Sequence, residues 1–146
     1  MIAYFDASAL VKRHVDERGS REAIEFASRA EVVATSLISR AEVAAALAKA
    51  ARAKILEDDE ARKAQRVFAT QWPDIARIPI TEALVSRAET LAWEYGLRGY
   101  DAVQLASAVM FQESLGTAVR LATFDKQLWD AARQAGLEPW PDKAPR

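Results

Sequence analysis

The chain has 146 residues, 51% hydrophobic and 28% charged, with 20 Lys and Arg against 21 Asp and Glu, a net charge of -1 and no cysteine. That balance suits one globular domain rather than a disordered chain, and it removes disulfides, zinc–thiolate centres and cysteine nucleophiles. The near-neutral total lacks the basic excess of a typical nucleic-acid binder, although a cluster of carboxylates would mask a local basic surface.

The chain opens on Ile2-Ala3-Tyr4-Phe5, a short apolar run ending at Asp6, which predicts a buried strand. With an acid this early, no apolar core of a secretory signal fits before it. Ser8 is available to cap a helix reaching about Asp16, and Gly19-Ser20 to restart one reaching about Arg29. Val32 to Thr35 predicts a second strand, and Ser36 or Ser39 caps a long alanine-rich helix to about Ala53. A further helix runs from Glu57 to about Gln71, stopped near Trp72-Pro73, and Ile75 to Ile80 predicts a third strand with its proline near the end. Thr81 caps the next helix, which closes at Tyr95-Gly96, a glycine stop. Tyr100 to Ser114 is helical, Val119 to Thr123 a fourth strand ending near Asp125, and a last helix closes at Gly136 before a short edge strand at Leu137 to Trp140. Strands alternating with helices predict a parallel sheet covered on both faces, an α/β sandwich. The expected domain covers 1–140, and 141–146 forms a loosely ordered tail. Charged or amide residues break every alanine-rich stretch before the roughly 18 apolar residues of a membrane span, so a cytoplasmic protein is expected.

Doubly wound sheets place their sites at the carboxyl ends of strands. Asp6 and Asp125 follow strand ends, while Glu42 and Asp101 sit near the starts of otherwise apolar helices. Each has a plain structural use: Asp125 as a helix cap, Glu42 in a capping box with Ser39, Asp101 as a complement to the helix dipole. Asp6 is less easily dismissed, because Ser8 can do the capping. Gathered together, the four are costly. Two carboxylates about 5 Å apart repel by roughly 3 kcal/mol at an effective dielectric of 20. An all-oxygen acidic cluster makes sense around Mg²⁺ or Mn²⁺, hard cations that prefer carboxylate and water.

Four blocks carry a resemblance to one family: Tyr4-Phe5-Asp6-Ala7-Ser8, Ser39-Arg40-Ala41-Glu42-Val43, Arg98-Gly99-Tyr100-Asp101-Ala102-Val103-Gln104-Leu105-Ala106 and Leu121-Ala122-Thr123-Phe124-Asp125. In this order and spacing the chain resembles the PIN-domain ribonuclease toxins of bacterial VapBC toxin–antitoxin pairs. Some members carry a second acid after the closing aspartate; here Lys126 and Gln127 follow. The resemblance implies a PIN-like three-layer sandwich with strand order 3-2-1-4-5, which sets Asp6 beside Asp125, with Glu42 and Asp101 converging. It implies a toxin that hydrolyses RNA through Mg²⁺ or Mn²⁺ held by Asp6, Glu42, Asp101 and Asp125, leaving a 5′-phosphate and a 3′-hydroxyl. Ser8, Arg40 and Arg98 are candidate contacts to substrate or to metal-held water. A small antitoxin, often pushing an arginine into the acidic pocket, and a homodimer are the implied partners.

His14, the only histidine, is expected on a solvated surface, and the four tryptophans in core or interface rather than under bases. A receiver domain would need an aspartate ending the third strand, where Ile78-Pro79-Ile80 stands. A haloacid-dehalogenase-type phosphatase would need Asp-x-Asp after the first strand, where Asp6-Ala7-Ser8 stands. The remaining alternative is a PIN-fold module that binds RNA or a partner without cutting; the full acid set argues against it.

Overall fold

The computed structural model describes residues 1–146. Five strands, β1 (Ile2–Phe5), β2 (Val32–Ser36), β3 (Ala76–Ile78), β4 (Val119–Ala122) and β5 (Glu138–Trp140), form one sheet in the order β3-β2-β1-β4-β5. Every pairing is parallel, and β1 lies in the middle between β2 and β4. Parallel neighbours need long crossovers. Seven helices supply them: α1 (Ala7–Lys12), α2 (Ser20–Ser28), α3 (Ser39–Arg52), α4 (Asp58–Gln71), α5 (Glu82–Tyr95), α6 (Gly99–Leu115) and α7 (Lys126–Gln134). The order is the one the resemblance implied.

The period-2 alternation of β1 divides the interior in two. Tyr4 faces a core built with Leu84, Leu91, Leu105 and Leu128 of α5, α6 and α7. Ala3 and Phe5 face the other, with Leu10, Phe26, Val43, Leu47 and Phe68 of α1 to α4. The sheet is therefore the middle of three layers. Each fully buried large side chain contributes about 1.5–3 kcal/mol, more than a helix cap at about 1 kcal/mol, so packing rather than capping fixes where the helices lie.

The local chemistry departs from expectation at several points. Asp6, not Ser8, caps α1 by accepting from the Ala9 N–H, and the helix stops at Lys12. Neither Ser36 nor Ser39 caps α3 with its side chain: the N-cap residue is Ile38, and Ser39 is fully buried. Thr81 does cap α5, and Gly96 ends it in the left-handed conformation at φ 65°. The third strand is shorter than expected, Ala76–Ile78, and stops before Pro79, which has no N–H to extend the ladder; a single 3₁₀ turn at Trp72–Asp74 precedes it. His14 is half-buried rather than fully solvated. Its ring packs edge-on against Phe68, with centroids 5.4 Å apart. Burial, then the neighbouring Arg13 charge, push its pKa down to about 4, so it is neutral near pH 7. After β5, Trp129 Nε1 donates to the Pro141 carbonyl at 2.7 Å and Arg120 pairs with Asp142 at 2.5 Å. No helix is long and apolar enough to cross a membrane.

Candidate active site

Asp6 continues β1 past its last residue, and its N–H donates to the Ala122 carbonyl at the end of β4. The two central strands therefore finish side by side, and the turn after each carries an acid: Asp6 directly, and Asp125 after Thr123-Phe124. Asp6 is only 4% exposed. Its Oδ1 accepts from the Ser8 hydroxyl at 2.7 Å and the Ala9 N–H at 2.9 Å, and its Oδ2 from the Thr123 hydroxyl at 2.6 Å. Burial dominates and pushes its pKa up from 3.8 to about 6; the three donors oppose the rise and the Asp101 charge adds to it.

Asp125 caps α7 through Oδ1, which accepts from the Leu128 N–H at 2.9 Å, so its plain structural use is real. Its other oxygen is directed elsewhere, 3.6 Å from Arg98 Nη2. Arg98 precedes α6 and also lies 3.5 Å from Asp101 Oδ2 through Nε, so one guanidinium spans two acids. Burial and the Asp125 charge raise the Asp101 pKa, with Arg98 pulling the other way.

Glu42, in the first turn of α3, forms no capping box with Ser39. Its Oε1 instead accepts from Gln104 Nε2 at 2.7 Å. Its pKa is raised by burial and by the Asp101 charge against the Gln104 hydrogen bond. Asp101 is thus the hub: Asp6 and Glu42 feel its charge, and it feels that of Asp125. All four acids meet electrostatically. As the side chains stand, however, no three of them close into a ready-made cage for one ion.

Ser8 has both its capacities engaged, donating to Asp6 and accepting from the Phe124 N–H at 3.0 Å, and so ties the two turns together. Arg40 lies over the Trp72 ring at 5.7 Å and makes no ion pair with the acids. A cavity of about 820 Å³ between α2 and the C-terminal tail, lined by Lys12, Phe26, Arg120, Phe124 and Trp140, contains none of the four acids. The sequence reading missed Thr123 and Gln104 as partners of the acids. The signal was spacing: Thr123 stands two residues before Asp125, and Gln104 one helical turn beyond Asp101, on the same face.

A parallel 3-2-1-4-5 sandwich with four coupled acids at the carboxyl edge defines a class. The chain belongs to the PIN-domain family, whose family model matches residues 3–134. Its curated relatives are of the VapC type: it is 34% identical to Ribonuclease VapC45 and Ribonuclease VapC49 of Mycobacterium tuberculosis, over 96% of this chain and 95% of each of them. A toxin–antitoxin complex from Klebsiella pneumoniae has the same fold, with a TM-score of 0.62 and 24% identity over 85% of this chain and 87% of that one.

Proposed function

We propose that this chain is a metal-dependent endoribonuclease acting as the toxin of a type II toxin–antitoxin pair. One observation carries the reading: the Asp101 carboxylate on α6 shares its charge environment with three others, Asp6 just after β1, Glu42 on α3 and Asp125 in the turn after β4, and burial raises Asp6, Glu42 and Asp101 toward neutrality. A fold tolerates such mutual repulsion where a cation offsets it. The VapC relatives, named as ribonucleases, support the substrate class.

The donor set fits Mg²⁺ or Mn²⁺. It is all oxygen, and His14, the only imidazole, is occupied with Phe68. Mg²⁺ commonly takes one or two carboxylates and keeps several waters, which suits an open site without a three-ligand cage. Asp6, Glu42, Asp101 and Asp125 are the residues that would hold it, directly or through water. When bound, such an ion supplies an activated water and offsets charge growing on the phosphate oxygens.

The chain's own side chains do the rest. Asp6 is held immobile by three donors, so its carboxylate is presented in a fixed direction. One of the four carboxylates accepts the attacking water's proton, and the raised pKa values bring that acceptor nearer to working pH. Arg98, with its side chain 78% exposed, is free to move from the acids to a substrate phosphate.

An antitoxin and a second copy complete the reading. The fold's occurrence in a toxin–antitoxin complex supports the first, and Arg98 shows that a guanidinium fits between Asp101 and Asp125. For the second, Trp93 on α5, 88% exposed, is the side chain offered as the contact. The same reading takes residues 1–140 as the catalytic domain with a short tail, in the cytoplasm.

The test is incubation of the antitoxin-free chain with structured RNA under Mg²⁺, Mn²⁺ or EDTA, beside Asp6→Ala. Cleavage that needs metal and is absent in the variant supports the proposal. Failure to cut any RNA, with no uptake of either ion, turns the reading to the non-cutting binding module.

A further inference from the structure

Gln104 is a buried amide that the proposed chemistry leaves without a task. It is 2% exposed, and three polar side chains surround it. Its Oε1 accepts from the Tyr4 hydroxyl at 2.5 Å, while Nε2 donates to Glu42 Oε1 at 2.7 Å and to Ser39 Oγ at 2.9 Å.

The direction of this amide is over-determined. Thr35 Oγ1 lies 2.7 Å from the Phe5 carbonyl and 2.7 Å from Ser39 Oγ. Carbonyl oxygen can only accept, so the single Thr35 proton goes to Phe5. Ser39 must then donate to Thr35, which leaves the Ser39 lone pairs facing Gln104 and calling for an N–H. On the opposite side the Tyr4 hydroxyl, deep in the core, supplies the proton that Oε1 accepts. A reversed amide would set Oε1 against the Glu42 carboxylate and against Ser39, which has no proton left for it. The polarity therefore runs one way, from Gln104 through Ser39 and Thr35 to the backbone of the residue before Asp6. The same chain ties β1, β2, α3 and α6, the elements carrying Asp6, Glu42 and Asp101.

From this geometry we infer that Gln104 is the positioning residue of the site: its locked N–H holds Glu42 Oε1 and leaves Oε2 turned to the incoming cation, with Tyr4 and the Ser39–Thr35 pair fixing the lock. The inference rests on the reading of the acids as a metal site. Residues that orient metal ligands from behind are typically worth 10–100-fold in affinity or activity.

The test compares wild type, Gln104→Met and Tyr4→Phe by Mn²⁺ titration, thermal unfolding and the side-chain amide signals of the metal-free ¹⁵N-labelled protein. Gln104→Met keeps the length and removes the hydrogen bonds; Tyr4→Phe keeps the ring in the core and removes the hydroxyl that donates to Gln104. The expected result is about a tenfold loss of Mn²⁺ affinity in Gln104→Met and a smaller loss in Tyr4→Phe. In the wild type one Gln104 amide pair should exchange slowly with solvent, and faster in Tyr4→Phe. Should Gln104→Met fail to fold, Tyr4→Phe alone decides, through its affinity and amide exchange. Variants that unfold earlier yet bind Mn²⁺ as wild type does would reduce Gln104 to core packing and overturn the inference. A wild type that binds no Mn²⁺, with the amide still protected, overturns the metal site itself, and the role of Gln104 falls with it.

Discussion

Arg98 Nη2 lies 3.6 Å from Asp125 Oδ2, and the same guanidinium reaches Asp101, so a side chain of the protein supplies positive charge between two acids proposed above to hold a cation. An exposed pair of this kind is worth little to folding, with a median of about 0–1 kcal/mol. Its charge nevertheless competes with any ion approaching the same oxygens.

Arg98→Gln should therefore leave the unfolding temperature of the metal-free protein nearly unchanged and tighten Mn²⁺ binding several-fold, while RNA cleavage falls because the phosphate loses its contact. Scanning calorimetry reads the first effect and calorimetric titration the second. Weaker Mn²⁺ binding in the variant would show that Arg98 assists the ion rather than competing with it.

Asp101→Asn removes the charge that Asp6 and Glu42 both feel. The expected outcome is loss of cleavage with stability in EDTA unchanged or slightly raised, since like-charge repulsion is relieved. Destabilisation by about 1 kcal/mol with cleavage retained would return Asp101 to the role of a helix-start residue.

Asp6 gives a pH dependence with a definite sign. Its pKa is raised in the fold from 3.8 to about 6, so between those values the native state binds more protons than the unfolded chain. Stability contributed by the protonated carboxyl is fully present below about 4 and is lost as pH rises through about 6, on the order of 3 kcal/mol. Asp6→Asn should thus gain stability over wild type on going from pH 5 to pH 7.5 in EDTA. Mg²⁺ should raise the wild-type unfolding temperature more at pH 7.5 than at pH 5, where protons occupy its ligands. Scanning fluorimetry at the two pH values reads both, and a pH-independent Asp6→Asn difference would contradict the burial argument.

Thr123 donates to Asp6 Oδ2 and accepts from the Asp125 N–H at 3.0 Å, joining two candidate ligands through one hydroxyl. Thr123→Val keeps the shape and strands both partners, at a cost of about 1–3 kcal/mol and most of the cleavage. Thr123→Ser should restore both. Denaturant titration beside an RNA assay is sufficient, and a fully active valine variant would reject the role.

Trp93 is the tryptophan the fold leaves outside: Trp72 and Trp129 are buried and Trp140 stacks on Phe26 at 4.5 Å. If α5 carries the contact between two copies, Trp93→Glu should shift light-scattering mass from dimer to monomer without changing the unfolding temperature much. An unchanged mass would remove this face from the interface.

The sheet and the four acids were legible because each left a local mark: an apolar run for each strand, and an acid where a strand ended or an apolar helix began. What stayed hidden was partnership. Asp6 reads as a site residue partly because Ser8 offers a cap, yet the structure gives the cap to Asp6 and sends Ser8 across to Phe124. Ser39 and Glu42 read as a capping box, but burial draws Ser39 to Thr35 and Glu42 to Gln104. These exchanges depend on residues distant in sequence, as with the Tyr4 hydroxyl and the Gln104 amide, so no window of neighbouring residues contains them. The half-burial of His14 was hidden for the same reason, since its neighbours Lys12 and Arg13 are polar while the Phe68 ring it packs against lies on α4.

The middle strand of the sheet is the first to be synthesised, and β4, which completes its second edge and leads to Asp125, is nearly the last. Asp6 thus lacks the Thr123 hydroxyl behind it until β4 and the turn after it have left the ribosome. An acid cluster wired in this order stays incomplete until β4 and the turn after it have been made.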